Sequence, residues 1–451
     1  MPYLRMTKTV LIRNMPLGMY LHVPYRFQLE SYYPTMEIDE FTEGLLELCD
    51  GTQKREEILQ QLSQKSGEPV EEFAKDFDEF VQYLVDEGIL EWVDEPEYVE
   101  PIYKRNRPSA ISVDVTSACN LNCSFCQAEA GPPGEDELTL DDLVPLAEQV
   151  KRFKPTPFAI SGGEPLLRKD MVLYLVEELS PIRETVVTVF TNGTLATKAY
   201  AQELYDAGLR IARVSLDGHT AELHNAIRGK GTFEKTLQGI ENLKKAGIHV
   251  DIVTVISKVN YPYTKEIREF VSHVGDSFGI VNVVPAGRAA GSDLLLSPEE
   301  VFNVKMALSD VERIETGVSP RNRCNAGETI YIASNGDIYP CLYLNFPEFK
   351  VGNIRENTLW EIYETDLMQQ ILELTVKDIE GCKECEFRYY CGGGCRGLAY
   401  SAGRSLFGID PVNCEPNLMV ARRVLEHGEA QTKQLMQVLL KSTKEIEGGS
   451  D

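Results

Sequence analysis

The chain has 451 residues, 43% hydrophobic and 25% charged, a composition that supports two to four globular domains. Its net charge of −25 argues against nucleic-acid binding, which needs a basic footprint for phosphates. No apolar run approaches the ~18 residues of a membrane helix, and the N-terminal MPYLRMTKTVLIRNMP lacks a signal-peptide core. A cytoplasmic protein without membrane contact is expected.

Residues 1–93 read as a small domain. They open on short apolar segments, Thr9 to Arg13 and Met19 to Val23, that suit strands. Three helical patterns follow: Phe41 to Cys49, Lys54 to Lys65 and Pro69 to Glu87. The last places Val70, Phe73, Phe77, Phe80, Val81 and Leu84 on one stripe, with Pro69 at its first turn and Gly88 past its end. Residues 1–100 hold 8 Lys and Arg against 22 Asp and Glu, a net of −14; this suits a solvated helical surface or a face for a basic partner segment. Residues 94–109, with Pro96, Pro101 and Pro108, form a linker.

From residue 110 to 296, β-branched runs alternate with amphipathic helices. The runs are Ile111–Val115, Phe158–Ile160, Val186–Phe190, Ile211–Leu216, Val250–Ile256 and Ile280–Val284; the helices are 139–153, 170–179, 197–207, 232–246 and 263–274. Six such units imply an α/β fold, a parallel sheet curled into a partial (β/α)6 TIM-like barrel with its site at the carboxyl ends of the strands. Residues 297–316 read as a bridging helix, 317–420 as a cysteine- and glycine-rich domain, and 421–451 as a C-terminal helix and tail.

Eleven cysteines without a secretory signal point to metal rather than disulfides. Cys119, Cys123 and Cys126 follow the first strand in TSACNLNCSFCQ, spaced C-x3-C-x2-C. Three thiolates on one loop suit a 4Fe–4S cube with one open iron; the alternative is a zinc loop one ligand short, although structural zinc sites close with four. After the second strand come Ser161, Gly162, Gly163, Glu164 and Pro165, where paired glycines allow close backbone approach and a carboxylate can take up an ammonium group. Both motifs fall on the same rim.

This pair of motifs resembles the radical S-adenosylmethionine superfamily. The resemblance implies that Cys119, Cys123 and Cys126 bind the radical cluster and that Gly162, Gly163, Glu164 and Pro165 line S-adenosylmethionine. Thr191 and Asn192 in VFTNGT, Ser215 and Asp217 in VSLDG, and Arg228 in HNAIRG match further cofactor positions, Arg228 as partner of the cofactor carboxylate. TNG and LDG are also common turn chemistry.

The later cysteines read Cys324-x11-Gly336-x4-Cys341, then Cys382-x2-Cys385-x5-Cys391-x3-Cys395, then Cys414. This resembles the SPASM domain, which implies two auxiliary 4Fe–4S clusters, three clusters in all. Carried over, the pattern gives Cys382, Cys385, Cys391 and Cys414 to the outer cluster and Cys324, Cys341 and Cys395 to the inner one, which lacks a fourth cysteine. An Asp, Asn, Arg, water or substrate thiolate closes it. Cys49, in LLELCDG, is left as a core residue.

Strands followed by three helices, with Cys-Asp-Gly closing the first, resemble the winged-helix-like peptide-recognition element of ribosomal peptide maturation, the fold of the small chaperone of pyrroloquinoline quinone biosynthesis. The element order also fits a winged-helix DNA binder, which the −14 charge opposes. Together these resemblances imply a radical maturase similar to the sactipeptide and ranthipeptide enzymes. Such an enzyme holds a ribosomal precursor peptide by its leader and draws electrons from a flavodoxin or ferredoxin-type donor. The bond expected is a cysteine thioether. The alternatives are carbon–carbon or carbon–oxygen cross-linking or oxidative decarboxylation of a peptide, action on a folded protein or tetrapyrrole, and an electron-transfer or zinc scaffold. No catalytic side chain is singled out.

Overall fold

The computed structural model describes residues 3–6, 11–15, 18–22, 35–38, 40–67, 69–86, 89–96, 108–155, 157–182, 185–308 and 322–427. The chain divides into two units, one within residues 1–105 and the other within 106–447.

In the first unit, strands β1 (Tyr3–Met6), β2 (Leu11–Met15), β3 (Gly18–His22) and β4 (Thr35–Ile38) precede helix α1 (Glu40–Leu48). Then come β5 (Asp50–Lys54), α2 (Arg55–Ser66), α3 (Val70–Asp86) and β6 (Leu90–Val93). They make two antiparallel three-stranded sheets, ordered β2-β3-β4 and β5-β1-β6. The spacing of Phe77, Val81 and Leu84 turns one face of α3 onto Leu45, Leu46, Ile58, Leu62 and Leu4, all buried. Gly67, at φ 77°, ends α2 in the left-handed conformation and donates to the Ser63 carbonyl. Cys49 is fully buried in this core, and burial pushes its thiol far up. β1, β4, β5 and β6 carry too few residues for a period to show in sequence. The Phe73 side chain, Gly88 and most of the expected linker lie outside the described residues.

The second unit carries β7 (Ala110–Asp114), α4 (Leu140–Phe153), β8 (Phe158–Ser161), α5 (Lys169–Leu179), β9 (Val187–Thr191), α6 (Lys198–Asp206) and β10 (Ile211–Ser215). It continues with α7 (Ala221–Arg228), α8 (Thr232–Ala246), β11 (His249–Ile256), α9 (Thr264–Val274), β12 (Ser277–Asn282) and α10 (Pro298–Leu308). β7 to β12 are parallel and lie in chain order, as five successive crossovers of one hand require. Their apolar faces form one core with the helices; Phe158 and Ile160 of β8 and Val250 and Ile252 of β11 are completely buried.

The sheet does not stop at β7. The cysteine-rich region contributes β13 (Thr329–Ile332), parallel to β7, then β14 (Asp337–Tyr339) and β15 (Gly352–Asn353), both antiparallel. The nine-stranded order is β12-β11-β10-β9-β8-β7-β13-β14-β15, open at both edges. Short helices complete the unit: α11 (Leu359–Tyr363), α12 (Asp366–Glu373), α13 (Arg388–Cys391), α14 (Arg396–Gly403) and α15 (Cys414–His427). Among the described residues no helix is long and apolar enough to cross a membrane.

Candidate active site

β7 runs straight into the cysteine loop, which is tied at several points. The Cys119 N–H donates to the Gly131 carbonyl (2.8 Å), and the Leu121 N–H points at Cys119 Sγ (3.4 Å). The Ser124 N–H donates to the Ile227 carbonyl at the end of α7 (3.0 Å). Arg288, in a segment the sequence reading passed over, donates through Nε to the Cys123 carbonyl (2.8 Å), through Nη1 to the Ala130 carbonyl (3.0 Å), and through its backbone N–H to the Cys126 carbonyl (3.0 Å). Two ends of the loop are thus pinned to one guanidinium.

The Gly162–Gly163 pair is explained by the loop. Gly162 sits at φ 146°, and the Gly163 and Glu164 N–H groups donate to the Thr116 and Ala118 carbonyls, both at 2.8 Å. A Cβ on Gly163 would stand 2.3 Å from the Ala118 oxygen and 2.5 Å from that of Ser117. The glycines let two backbones cross here; a side chain on either would separate them.

Glu164 is completely buried. Its carboxylate accepts from Thr191 Oγ1 (2.6 Å), the Asn192 N–H (2.8 Å) and the Leu166 N–H (3.1 Å), so it joins the β8 and β9 loops. Burial raises its pKa, against the pull of these donors. Asn192 extends the tie: its Nδ2 donates to Asn120 Oδ1 inside the cysteine loop (2.9 Å).

Asp217 and Arg228 form a buried ion pair through Oδ2 and Nε, and Asp217 Oδ1 accepts from the Val255 N–H (2.8 Å). The guanidinium lies over the Phe125 ring, 5.6 Å from its centroid, with Nη1 4.0 Å from Cys123 Sγ. Burial pushes the Cys123 thiol up and Arg228 draws it back, so a neighbouring cation favours the thiolate. α7, absent from the expected helices, presents Arg228 at its last turn and the buried His224, whose Nδ1 accepts from the Asp217 N–H (3.2 Å).

These elements enclose a cavity of about 290 Å³. Of the expected residues it brings together Cys119, Cys123, Cys126, Gly162, Gly163, Thr191, Asn192, Ser215 and Arg228. Glu164, Pro165 and Asp217 stand behind its wall. Arg288 and Tyr343 line it too, and sequence reasoning missed both. Arg288 follows the sixth strand in VVPAGRA, a legible strand-end position; Tyr343 owes its place to packing between distant segments.

Tyr343 joins the cavity to the second cysteine field. It lies two residues after Cys341, and a Cβ on Gly397, two residues after Cys395, would meet the Tyr343 main-chain carbonyl oxygen at 2.2 Å. Burial, then the neighbouring Cys395 and Cys341, push its phenol up to about 12. Cys341 is half-buried, and its surroundings push its thiol up, with Cys324 and Cys395 as the thiols that act on it. Burial pushes Cys382 up to about 11; Cys391, Cys414 and Cys385 act on it in the same sense. Seven thiols therefore fall into a set of three and a set of four. All eleven cysteines are free of disulfides. Among the described residues no three His, Cys, Asp or Glu side chains converge tightly enough for one metal ion. Sulfur-only donor sets suit iron–sulfur ligation, as does the cation beside Cys123.

A parallel α/β sheet with a three-thiol loop after its first strand, facing a cavity, defines the class as that of radical iron–sulfur enzymes. The family model for the radical SAM superfamily matches residues 113–271, that for an iron–sulfur cluster-binding SPASM domain matches 324–386, and that for coenzyme PQQ synthesis protein D matches 35–90. An AdoMet-dependent heme synthase of Methanosarcina barkeri is 30% identical over 66% of this chain and 93% of its own. The mycofactocin maturase MftC of Mycolicibacterium smegmatis is 26% identical over 67% and 82%. Among solved structures, Streptococcus suis SuiB bound to its precursor peptide SuiA superposes with a TM-score of 0.63 at 17% identity, over 92% of this chain and 100% of SuiB. AdoMet-bound anSMEcpe gives 0.59 at 20%, over 73% and 99%. The chain belongs to the radical SAM superfamily, with a SPASM domain and a PqqD-type domain, and it is an iron–sulfur enzyme that uses S-adenosylmethionine.

Proposed function

We propose that this enzyme matures a ribosomally made precursor peptide and closes a cysteine thioether in it. The observation that carries the reading is the single cavity lined both by Cys119, Cys123 and Cys126 and by Tyr343, which adjoins Cys341 and Cys395. The domain plan is that residues 1–93 bind the leader, 110–296 hold the radical site, and 317–420 hold two auxiliary clusters.

Cys119, Cys123 and Cys126 would hold the radical cluster; Cys324, Cys341 and Cys395 the inner and Cys382, Cys385, Cys391 and Cys414 the outer auxiliary cluster. When bound, the first cluster and S-adenosylmethionine supply a 5′-deoxyadenosyl radical that takes a hydrogen atom from carbon. The chain's own residues position and shield. Gly162 and Gly163 hold the β8 loop against the cysteine loop where both line the cavity, and Arg228 and Arg288 supply positive charge where a carboxylate would lie. Phe190, Val255 and Val283 wall the cavity and keep water away from a reactive carbon. Tyr343, kept protonated by burial, offers a neutral hydrogen-bond donor to the substrate. A leader tether in the PqqD-type domain would raise the effective concentration of the core peptide.

Co-expression with a small cysteine-containing peptide, followed by mass spectrometry, tests this. A thioether removes two hydrogens per cross-link, and deletion of residues 1–93 should abolish modification while leaving uncoupled cleavage of S-adenosylmethionine. An unmodified peptide, or undiminished modification by the truncated chain, refutes it. The 30% identity to a heme synthase favours a second reading, a tetrapyrrole substrate. Turnover of a tetrapyrrole in the same preparation would establish that reading instead.

A further inference from the structure

Arg396 follows Cys395 and opens α14, and only 2% of it reaches solvent. Its guanidinium is fixed on three main-chain carbonyls: Nη1 donates to Leu406 (2.8 Å) and Gly408 (2.7 Å), and Nη2 to Gly393. None of these acceptors is charged. Nε is buried and has no partner, and Arg396 forms no ion pair among the described residues. The nearby buried carboxylate, Asp410, is engaged elsewhere. It accepts from the Cys395 N–H (2.7 Å) and Asn413 Nδ2 (2.9 Å) on one oxygen, and from the Val412 (2.9 Å) and Asn413 (3.1 Å) N–H groups on the other.

A guanidinium stripped of water without a counter-charge is strongly unfavourable unless an anion is brought to it. The candidate anions are close. Gly393, which accepts from Nη2, lies between Cys391 and Cys395, and a Cβ on it would stand 2.4 Å from Ile379 in the small core that includes Cys382; Leu406, which accepts from Nη1, packs against that core and also against the one beside Cys324 and Cys341. The Glu380 N–H donates to the Phe407 carbonyl (2.8 Å), so the segment that carries two of the Arg396 acceptors lies beside the stretch that leads into Cys382.

We infer that Arg396 is the built-in counter-cation of the four-thiol set Cys382, Cys385, Cys391 and Cys414, and that it sets the reduction potential of the cluster held there. The inference rests on the reading that this set binds an iron–sulfur cluster. Four thiolates leave such a cluster negative, and reduction adds one more negative charge. A fixed cation in a poorly screened interior stabilises the reduced form more than the oxidised one and raises the potential. The outer cluster is thereby made a better electron acceptor, by a group that cannot lose its charge at any working pH.

The test uses the full chain with Cys119, Cys123 and Cys126 changed to Ala, so that only auxiliary signals remain. A Cys414→Ser variant identifies the outer one. Arg396→Gln and Arg396→Lys are added to this parent, and iron content and a redox titration followed by electron paramagnetic resonance are measured. Arg396→Gln should keep its iron and move the outer signal to a more negative potential, while Arg396→Lys stays near the parent. Loss of iron in the Gln variant alone also supports a charge role. An unchanged potential in Gln, an equal shift in Lys, or equal loss of iron from both overturns the inference. A parent holding fewer than about eight irons overturns the auxiliary-cluster reading itself.

Discussion

Asp217, at the end of β10, holds Arg228 so that its guanidinium stands 4.0 Å from Cys123 Sγ, in the loop after β7. The ligand loop is therefore balanced by a cation fixed from another strand. Asp217→Asn would leave Arg228 buried and unpaired. Removing one partner of such a pair costs about 3–5 kcal/mol. Urea unfolding of the metal-free chain should show that loss, and Arg228→Met added to Asp217→Asn should recover part of it. Equal stability of the single variant and the parent would show that the pair is not buried in solution.

Gly163→Ala should cost the first cluster. The added methyl meets two carbonyl oxygens of the cysteine loop, both backbone, so neither can swing aside. About four irons should be lost, together with 5′-deoxyadenosine formation. Gly279→Ala, with nothing within 4 Å of its new Cβ, is the control and should retain both.

Asp114 gives a pH signature to folding. Burial raises its pKa to about 6, although hydrogen bonds from Tyr331 (2.7 Å) and Ser161 oppose the rise. A raised carboxyl binds its proton more tightly in the folded chain, so its contribution is most favourable below the unfolded value near 3.8. That contribution declines as pH rises to about 6 and is flat above. The rise from 3.8 to about 6 corresponds to roughly 3 kcal/mol. Asp114→Asn should flatten the stability profile between pH 4 and 6, read by urea unfolding; an unchanged slope would exclude Asp114 as its source.

Tyr343→Ala tests whether the cavity wall beside Cys341 and Cys395 meets the substrate. Modified peptide per 5′-deoxyadenosine should fall by about tenfold, a loss of about 1.4 kcal/mol of positioning, with iron content unchanged. Tyr343→Phe separates ring from hydroxyl. A ratio unchanged in both variants would place the substrate elsewhere.

The parallel strands were legible because each is a β-branched run bounded by helix signals; Val250 to Ile256 is such a run, and it alternates in burial though not in sequence. The cysteine spacing pointed to one rim, and β7 and β8 deliver their loops there. What did not show was the second layer of contacts. A carboxylate after a strand reads as a ligand, yet Glu164 is taken up by donors from the β9 loop, because the nearest buried N–H groups must also find acceptors. α7 was hidden by its length, eight residues with Gly229 at its end. β13, four residues of TIYI among cysteines and glycines, has no pattern of its own; pairing with β7 defines it.

That pairing also dictates when the enzyme is assembled. Ser109, at the entrance to β7, donates to the Glu328 carbonyl 219 residues later. At ribosomal rates of about 5–20 residues per second, β7 waits on the order of 10–40 s for the neighbour that covers its open edge. Until then the strand that feeds the first cysteine loop is a free template for wrong pairing. An early-terminated product would leave β7, the strand that feeds the first cysteine loop, with an uncovered edge.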